Sequence, residues 1–414
     1  MAITWTDDNH NISRHQNIGI NDDEEDILGC CIVIIGGKSH YKSLIPAILS
    51  QDGFSNIHFI DAGPTLLQKT LELMPDMIIL NMLMSQGDGL EICAALRDID
   101  HFRNIAIIAH TPEYSPDDRA RIYDAGATDI FPEPVSGREV RNRVHMYLKY
   151  RQGVRGLKEY HERLARDLDI ARSMQEAILP PVSRLDQISQ SHGLEIASQY
   201  EASEELGGDF WGIDVLDADR LFIYVIDFSG HGLSASLNVF RLHSLMWNDQ
   251  NSDFDRITSP ASYLEKLNRA LFKLLPLEQY ATMLCGIIDV KKNIFTYAAA
   301  ASTAPVKLSP RSRDVISLDP SGFPLGMIGD ATYDDREIAF ARGEMLFFYS
   351  DALIESLDQE GRMIGESHFR EICRTSNADS AKGQSFLETF MKNFNGHVTR
   401  PLCDDLTAIT ITRP

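Results

Sequence analysis

The sequence predicts three parts in order: an α/β domain with a parallel sheet, a helical connector, and an α+β domain. Three patterns carry that division. Between residues 27 and 149, apolar strand-like runs at 30–35, 57–60, 77–82, 105–109 and 129–131 alternate with helical stretches, the rhythm of a five-stranded parallel sheet. Across Val154, Leu157, His161, Leu164, Leu168, Ala171, Gln175 and Ile178 the spacing alternates between three and four, which makes a heptad seam. From residue 182 onward, strand signals at 195–198, 220–227, 282–289, 293–299 and 406–412 are separated by helical patterns at 233–247, 261–275 and 385–393.

The boundaries follow from composition. Residues 1–26 are polar and acidic, end in Asp22-Asp23-Glu24-Glu25-Asp26, and predict a disordered tail. The α/β domain occupies 27–149, the connector 150–181 and the second domain 182–414. Pro180-Pro181 stops the connector helix, and Gly153 and Gly156 are its candidate bending points. A parallel homodimer through 154–178 is the expected use of the seam. His161 and Gln175 interrupt its apolar character, so a single amphipathic helix packed on one domain is the alternative.

A length of 414 residues supports two or three separate cores. The net charge of −21 opposes both phosphate backbones and anionic membrane surfaces, so the expected partners are proteins, with no nucleic acid and no membrane. No apolar stretch approaches the ~20 residues of a membrane helix, and the N-terminus has no signal core, which predicts a cytoplasmic protein. Six cysteines without a Cys-x-x-Cys pair read as reduced core thiols. Cys403 precedes Asp404, but a soft thiolate suits Mg²⁺ poorly.

Chemistry concentrates in four motifs: Gly207-Gly208-Asp209-Phe210, Asp227-Phe228-Ser229-Gly230-His231-Gly232, Tyr349-Ser350-Asp351-Ala352-Leu353-Ile354-Glu355 and Asp404-Asp405-Leu406-Thr407. The aspartates are placed at the ends of strand-like runs, 221–226 before Asp227 and 345–349 before Asp351, so rigid backbone delivers several carboxylates to one place. Converging carboxylates require cations, and oxygen-only ligands suit two Mg²⁺ or Mn²⁺ ions that activate a water. The residues alone therefore read as a two-metal hydrolase.

At these motifs, and at the lead-in Ala171-Arg172-Ser173-Met174-Gln175-Glu176-Ala177-Ile178-Leu179-Pro180, the chain resembles the metal-dependent Ser/Thr phosphatases (PPM), in their bacterial SpoIIE and RsbU branch. The resemblance implies an α-β-β-α sandwich and a phosphoserine/phosphothreonine protein phosphatase. It implies that Asp227 bridges both metals, that the Phe228 carbonyl and Asp209 serve one of them, that Asp351 and Asp404 serve the other, and that Asp405 lies further out. It also implies a phosphorylated STAS-domain anti-sigma-factor antagonist as substrate. His231 reads as a turn residue before a helix rather than a general acid, and Glu355 as an outer partner of the site or a solvated helix residue. Two departures stand out: Ala352 replaces a usual glycine, and Ala301-Ser302 replaces a usual Gly-His pair, each awkward if its backbone needs a positive φ.

Residues 27–149 resemble a response-regulator receiver, a flavodoxin-like fold, through Met74-Pro75-Asp76-Met77-Ile78-Ile79-Leu80-Asn81, Gly87-Asp88-Gly89-Leu90-Glu91, Asp118-Arg119 and Ala125-Gly126-Ala127-Thr128-Asp129. Where receivers carry an acidic pair, the phospho-accepting aspartate and a lysine before proline, this chain has Gly36-Gly37, Asn81 and Glu133; only Thr111 remains of the switching set. An amide is a poor nucleophile, glycines hold no Mg²⁺, and Glu133 repels a phosphoryl group, so this domain is expected to bind a regulatory protein rather than to be phosphorylated. The competing reading of the whole chain is a non-enzymatic scaffold built from a pseudo-receiver and a weakened phosphatase fold.

Overall fold

The computed structural model describes residues 27–36, 41–83, 88–112, 115–230, 232–253, 257–276, 278–309, 314–380 and 385–414. The predicted tail 1–26, Gly37, Gly87 and His231 lie outside the described residues. The chain forms two compact units that divide between Arg163 and Leu164.

In the first unit, strands β1 (Ile32–Ile35), β2 (Ile57–Ile60), β3 (Met77–Asn81), β4 (Ala106–Thr111) and β5 (Asp129–Pro132) form a parallel sheet in the order β2-β1-β3-β4-β5. This is the flavodoxin-like, doubly wound order. Helices α1 (Tyr41–Gln51), α2 (Leu66–Leu73), α3 (Gly89–Arg97) and α4 (Pro116–Asp124) connect the strands. Residues alternate between two cores, as a period of two requires: Val33, Ile35, Ile78 and Leu80 enter one, Ile32, Ile34, Met77 and Ile79 the other.

Helix α5 (Gly137–Ile178) packs Val140, Val144 and Leu148 on the second of these cores and then continues without interruption through the connector. The connector therefore has no separate start at residue 150. Gly153 and Gly156 lie inside this helix, each with open space where a Cβ would stand. Val154, Leu157 and Leu164 are exposed along it, whereas Gln175 is buried.

The receiver's functional positions meet at the carboxyl edge of the sheet, where such folds carry their chemistry. Gly36 follows β1 with φ of 71°, Asn81 ends β3, Thr111 ends β4 and Glu133 follows β5. The Asn81 side chain accepts a hydrogen bond from the Leu83 amide at 2.8 Å, which turns it toward its own loop. His110 Nε2 lies 3.8 Å from Glu133, but burial pushes the His110 pKa down to about 4, so the imidazole brings no cation to this edge at neutral pH.

In the second unit the end of α5 is followed by α6 (Val182–His192), a helix not expected from the sequence, and two antiparallel sheets pack face to face. One runs β13-β10-β9-β8-β7, from β7 (Asp209–Val215), β8 (Arg220–Phe228), β9 (Ala281–Asp289), β10 (Ile294–Ala300) and β13 (Arg336–Ala339). The other runs β12-β11-β14-β15-β6, from β6 (Glu195–Glu201), β11 (Val306–Leu308), β12 (Val315–Ser317), β14 (Met345–Tyr349) and β15 (Leu406–Thr412). Between them lies a core that includes Trp211, Ile223, Leu284 and Phe295 from the first sheet and Leu346, Phe348, Ile409 and Ile411 from the second.

Alternate residues of the same strands face outward onto helices. Phe210, Phe222 and Ile226 meet α7 (Gly232–Asp253) and α8 (Pro260–Leu274) through Val239, Leu242 and Leu264. Phe347, Tyr349 and Leu406 meet α10 (Gly365–Ser380) and α11 (Phe386–Asn395) through Phe369 and Phe390; the short α9 (Ala352–Glu355) precedes them. The result is the expected α-β-β-α sandwich. Asp209 begins its strand rather than ending one, directly after the buried pair Gly207-Gly208.

We expect acetyl phosphate with Mg²⁺ to add no phosphate to residues 27–149, since Asn81, Gly36 and Glu133 supply neither nucleophile nor cation at the carboxyl edge. Intact-mass measurement after incubation checks this; a stoichiometric gain on that segment would mean that the phosphoryl site has been misplaced.

Candidate metal centre

The centre begins with a register. Strands β7 and β8 pair so that Asp209 stands directly opposite Asp227, and β9 extends the ladder by pairing Thr282 with Asp227. Like charges directly opposite in an antiparallel pair repel, so this pairing opposes folding unless something else compensates. The second sheet brings Asp351, which follows β14, toward the same place. Ser350 fixes it: its amide donates to the Thr407 carbonyl at 2.9 Å, its hydroxyl donates to the Asp405 carbonyl at 2.8 Å, and the same oxygen accepts from the Thr407 amide at 2.9 Å.

Thr407 then joins the two sheets, its hydroxyl donating to Asp209 Oδ2 at 2.6 Å. Asp405 ties down the loop that leads into Asp209. Its carboxylate accepts from the Ser203 amide at 2.7 Å, the Ser203 hydroxyl at 3.0 Å and the Gly208 amide at 2.5 Å. From the last turn of α5, Gln175 completes the hold: its amide nitrogen donates to the Gly207 carbonyl at 2.6 Å, and its amide oxygen accepts from Gly207 N at 3.1 Å. Glycine is required there, because a Cβ on Gly207 would lie 2.7 Å from Asp405 Oδ2 and 2.5 Å from the Tyr200 hydroxyl. A Cβ on Gly208 would lie 3.0 Å from the Phe228 carbonyl oxygen, so glycine lets the loop approach that acceptor.

Asp209, Asp227 and Asp351 line one cavity of about 290 Å³, together with Glu355, Glu366, Thr282 and Ser302. Asp404 and Asp405 lie outside its lining, though the charge of Asp404 reaches both Asp227 and Asp351. Burial and then the Asp227 charge hold the Asp209 carboxyl well above the ordinary range, against the lowering effect of the Thr407 hydroxyl. Burial and the charges of Asp351 and Asp404 push Asp227 up to about 8; burial, Asp404 and Glu355 push Asp351 up to about 6.

Among the described residues no three His, Cys, Asp or Glu side chains are gathered closely enough to hold one ion by themselves. The donors that the cavity does offer are hard oxygens, which suit Mg²⁺ and Mn²⁺ better than zinc.

The two departures from the family pattern separate here. Ala352 opens α9 with ordinary helical backbone and is buried without strain. Ala301 has φ of 54°, so the glycine-requiring position is this one, and it lies on the cavity wall.

Thr407 could have been found in the sequence, since it closes the quoted Asp404-Asp405-Leu406-Thr407 motif. Gln175 carried a misleading signal, because its spacing reads as part of the heptad seam. Glu366 carried none.

This arrangement agrees with what is known of other proteins. Residues 217–414 match the family model for Stage II sporulation protein E (SpoIIE), and residues 32–145 match that for the response regulator receiver domain. The chain joins a receiver domain to a SpoIIE-type PPM phosphatase domain. The SpoIIE match contains Asp227, Asp351, Asp404 and Asp405; Asp209 lies outside it and is placed by geometry alone.

The phosphatase half is 27% identical over 194 residues to the phosphoserine phosphatase RsbP of Bacillus subtilis, covering 46% of this chain and 45% of that one. It is 23% identical over 210 residues to the phosphoserine phosphatase RsbU of the same organism, covering 51% and 59%. The chain thus spans about half the length of the curated relatives it matches. Among solved structures, the SiaA-PP2C domain of Pseudomonas aeruginosa matches with a TM-score of 0.52 at 21% identity, covering 61% of this chain and 98% of that one, and so shares the fold.

The raised carboxyls set a pH dependence. Asp227 and Asp351 keep protons in the folded state that the unfolded chain releases, so cation-free protein is most stable below the ordinary carboxylate range and loses stability as pH rises toward 8. In EDTA we expect Tm to fall between pH 5 and pH 8, and Mn²⁺ or the Asp227→Asn change to recover part of the loss; each kcal/mol recovered is worth about 2–4 °C in a domain of this size. A Tm that rises with pH in EDTA would contradict the electrostatics described.

Proposed function

We propose that residues 182–414 act as a divalent-cation-dependent phosphoserine/phosphothreonine protein phosphatase in bacterial signalling, with residues 27–149 as its non-phosphorylatable regulatory module. One observation carries the reading: Asp209 opposes Asp227 across the β7–β8 ladder on a cavity that Asp351 shares. Two cations fit this donor set, which is made of hard oxygens, contains a buried repulsion that positive charge relieves, and has glycine where the backbone approaches the Phe228 carbonyl. Asp227 would face both ions, Asp209 and the Phe228 carbonyl would hold one, and Asp351 and Asp404 the other, with Asp405 further out. Bound there, Mg²⁺ or Mn²⁺ would supply charge neutralisation for the phosphate and an ionised water at neutral pH.

The chain's own groups do the rest. Thr407 orients Asp209, and Asp405 with Gln175 holds the loop before it. The cavity hydroxyls of Ser302, Thr303 and Ser350 each donate to a main-chain carbonyl, and the reading takes water rather than a side-chain hydroxyl as the attacking group. By resemblance the substrate is a STAS-domain anti-sigma-factor antagonist. The exposed Val154, Leu157 and Leu164 support a homodimer through 154–178, with a regulatory protein acting on the pseudo-receiver. Among the described residues no helix is long and apolar enough to cross a membrane.

With Mn²⁺ the full chain should hydrolyse an aryl phosphate and a phosphoserine peptide, and EDTA should stop it reversibly. Asp227→Asn and Asp351→Asn should each lower kcat/KM on the order of a hundredfold or more, as loss of a metal ligand does at the least. Wild-type turnover in Asp227→Asn would sink the two-metal assignment, and absence of turnover in the unmutated chain with Mn²⁺ would favour the non-enzymatic scaffold.

The dimer has its own test. Leu164→Glu or Leu168→Glu sets like charges across the seam, at a cost of several kcal/mol for unpaired buried charge. Light scattering should then report monomers, and the phosphatase rate should change although no ligand has been touched. Dimers with unaltered kinetics would remove the seam from the regulatory account.

A further inference from the structure

The cavity that holds Asp209, Asp227 and Asp351 is also lined by Glu355 and Glu366, and among the described residues no Lys, Arg or His lines it. For a phosphate site this is an unusual wall, since phosphate groups are ordinarily met by arginine or lysine. Glu355 is exposed at the end of α9, one helical turn after Asp351, and its charge already raises the Asp351 and Asp227 carboxyls. Glu366 is the second residue of α10 and pairs with Arg370 at 3.2 Å, the glutamate largely open to water and the arginine half-buried. Such a surface pair is weak and readily exchanged for another cation.

A charge count shows what is missing. Two divalent ions carry four positive charges, and Asp209, Asp227, Asp351 and Asp404 already balance them. A phosphorylated side chain adds about two negative charges, Glu355 adds another at the wall, and Glu366 adds one that Arg370 partly offsets. Carboxylates so placed repel a phosphate that arrives alone and attract one that arrives with cations beside it. We propose that the cavity selects phosphorylated segments with lysine or arginine next to the phosphorylated residue, and that Glu355 and Glu366 are the residues that read those cations. This assignment rests on the phosphatase reading of the same site. It names a substrate class within it: basic phosphoserine or phosphothreonine segments over acidic ones.

Two phosphoserine peptides of equal length, one with arginine on both sides of the phosphoserine and one with glutamate, provide the test on the full Mn²⁺-loaded chain. We expect kcat/KM to favour the basic peptide by about three- to tenfold at low salt, the range that one or two exposed charge pairs supply. The preference should sit in KM and shrink at 0.5 M salt. In the Glu355→Gln, Glu366→Gln double variant, and to a lesser degree in Glu366→Gln alone, the ratio between the two peptides should collapse toward one.

Non-hydrolysable phosphonate versions of both peptides, followed by fluorescence anisotropy, give the same comparison without turnover. Equal kcat/KM and equal Kd for the two peptides, or a wild-type ratio that persists in the double variant, would overturn the proposal while leaving the phosphatase reading intact. Absence of turnover on both peptides and on an aryl phosphate would instead sink that reading, and the phosphonate affinities would still decide the selectivity.

Discussion

The repulsion between Asp209 and Asp227 across one β-ladder is the constraint that the rest of the C-terminal domain accommodates. A free pair of surface carboxylates would swing apart. These two cannot, because they face each other across β8 and the edge strand β7, and both faces of that sheet are packed, one on the inter-sheet core and the other on α7 and α8. The backbone order that assembles the site is therefore also what makes it costly, and burial together with the neighbouring carboxylates raises the carboxyl pKa values. Hydrogen bonds from Thr407 to Asp209 and from the 203–208 loop to Asp405 keep this strained group of acids from relaxing into solvent.

The first domain shows the same physics with the charges removed. Its parallel sheet brings Gly36, Asn81, Thr111 and Glu133 to the carboxyl edge, where a phosphoryl-accepting site would need an acidic pocket, a nucleophile and a cation. Asn81 spends its acceptor on the Leu83 amide, and His110 is neutral. Among the described residues, Gly36, Asn81 and Thr111 bring no ionised group to set beside Glu133 at this edge.

Much of this was legible in the sequence because burial leaves a periodic record. The five receiver strands fall within a residue or two of their apolar runs, and the runs before Asp227 and Asp351 are β8 and β14. What was not legible depends on contacts far apart in the chain. Strand β7 has Phe210, Trp211, Ile213 and Val215, but Gly212 and Asp214 interrupt its apolar character, and pairing with β8 is what fixes it as a strand. The three-residue strands β11 and β12 are too short to show alternation. Gln175 obeys the heptad spacing yet is buried against Gly207, because an amide can satisfy a turn that leucine cannot. At Ala301 the composition rule was right about the backbone: the position does need a positive φ, and the methyl group is carried there at the expense of local strain.

Asp404, Asp405 and Thr407 follow every other residue of the centre in chain order, and β15, which they introduce, lies between β14 and β6 in its sheet. During synthesis, then, the hydrogen bonds that orient Asp209 and close the 203–208 loop cannot form until nearly two hundred later residues have been made. A growing chain can hold a finished receiver and most of a sandwich while its acids still lie apart and protonation or solvent screens them. Release of the segment from Asp404 onward by a protease would undo the same hydrogen bonds and leave Asp209 and the 203–208 loop as they stand in the unfinished chain, so the last strand to be made is also the one that closes the centre.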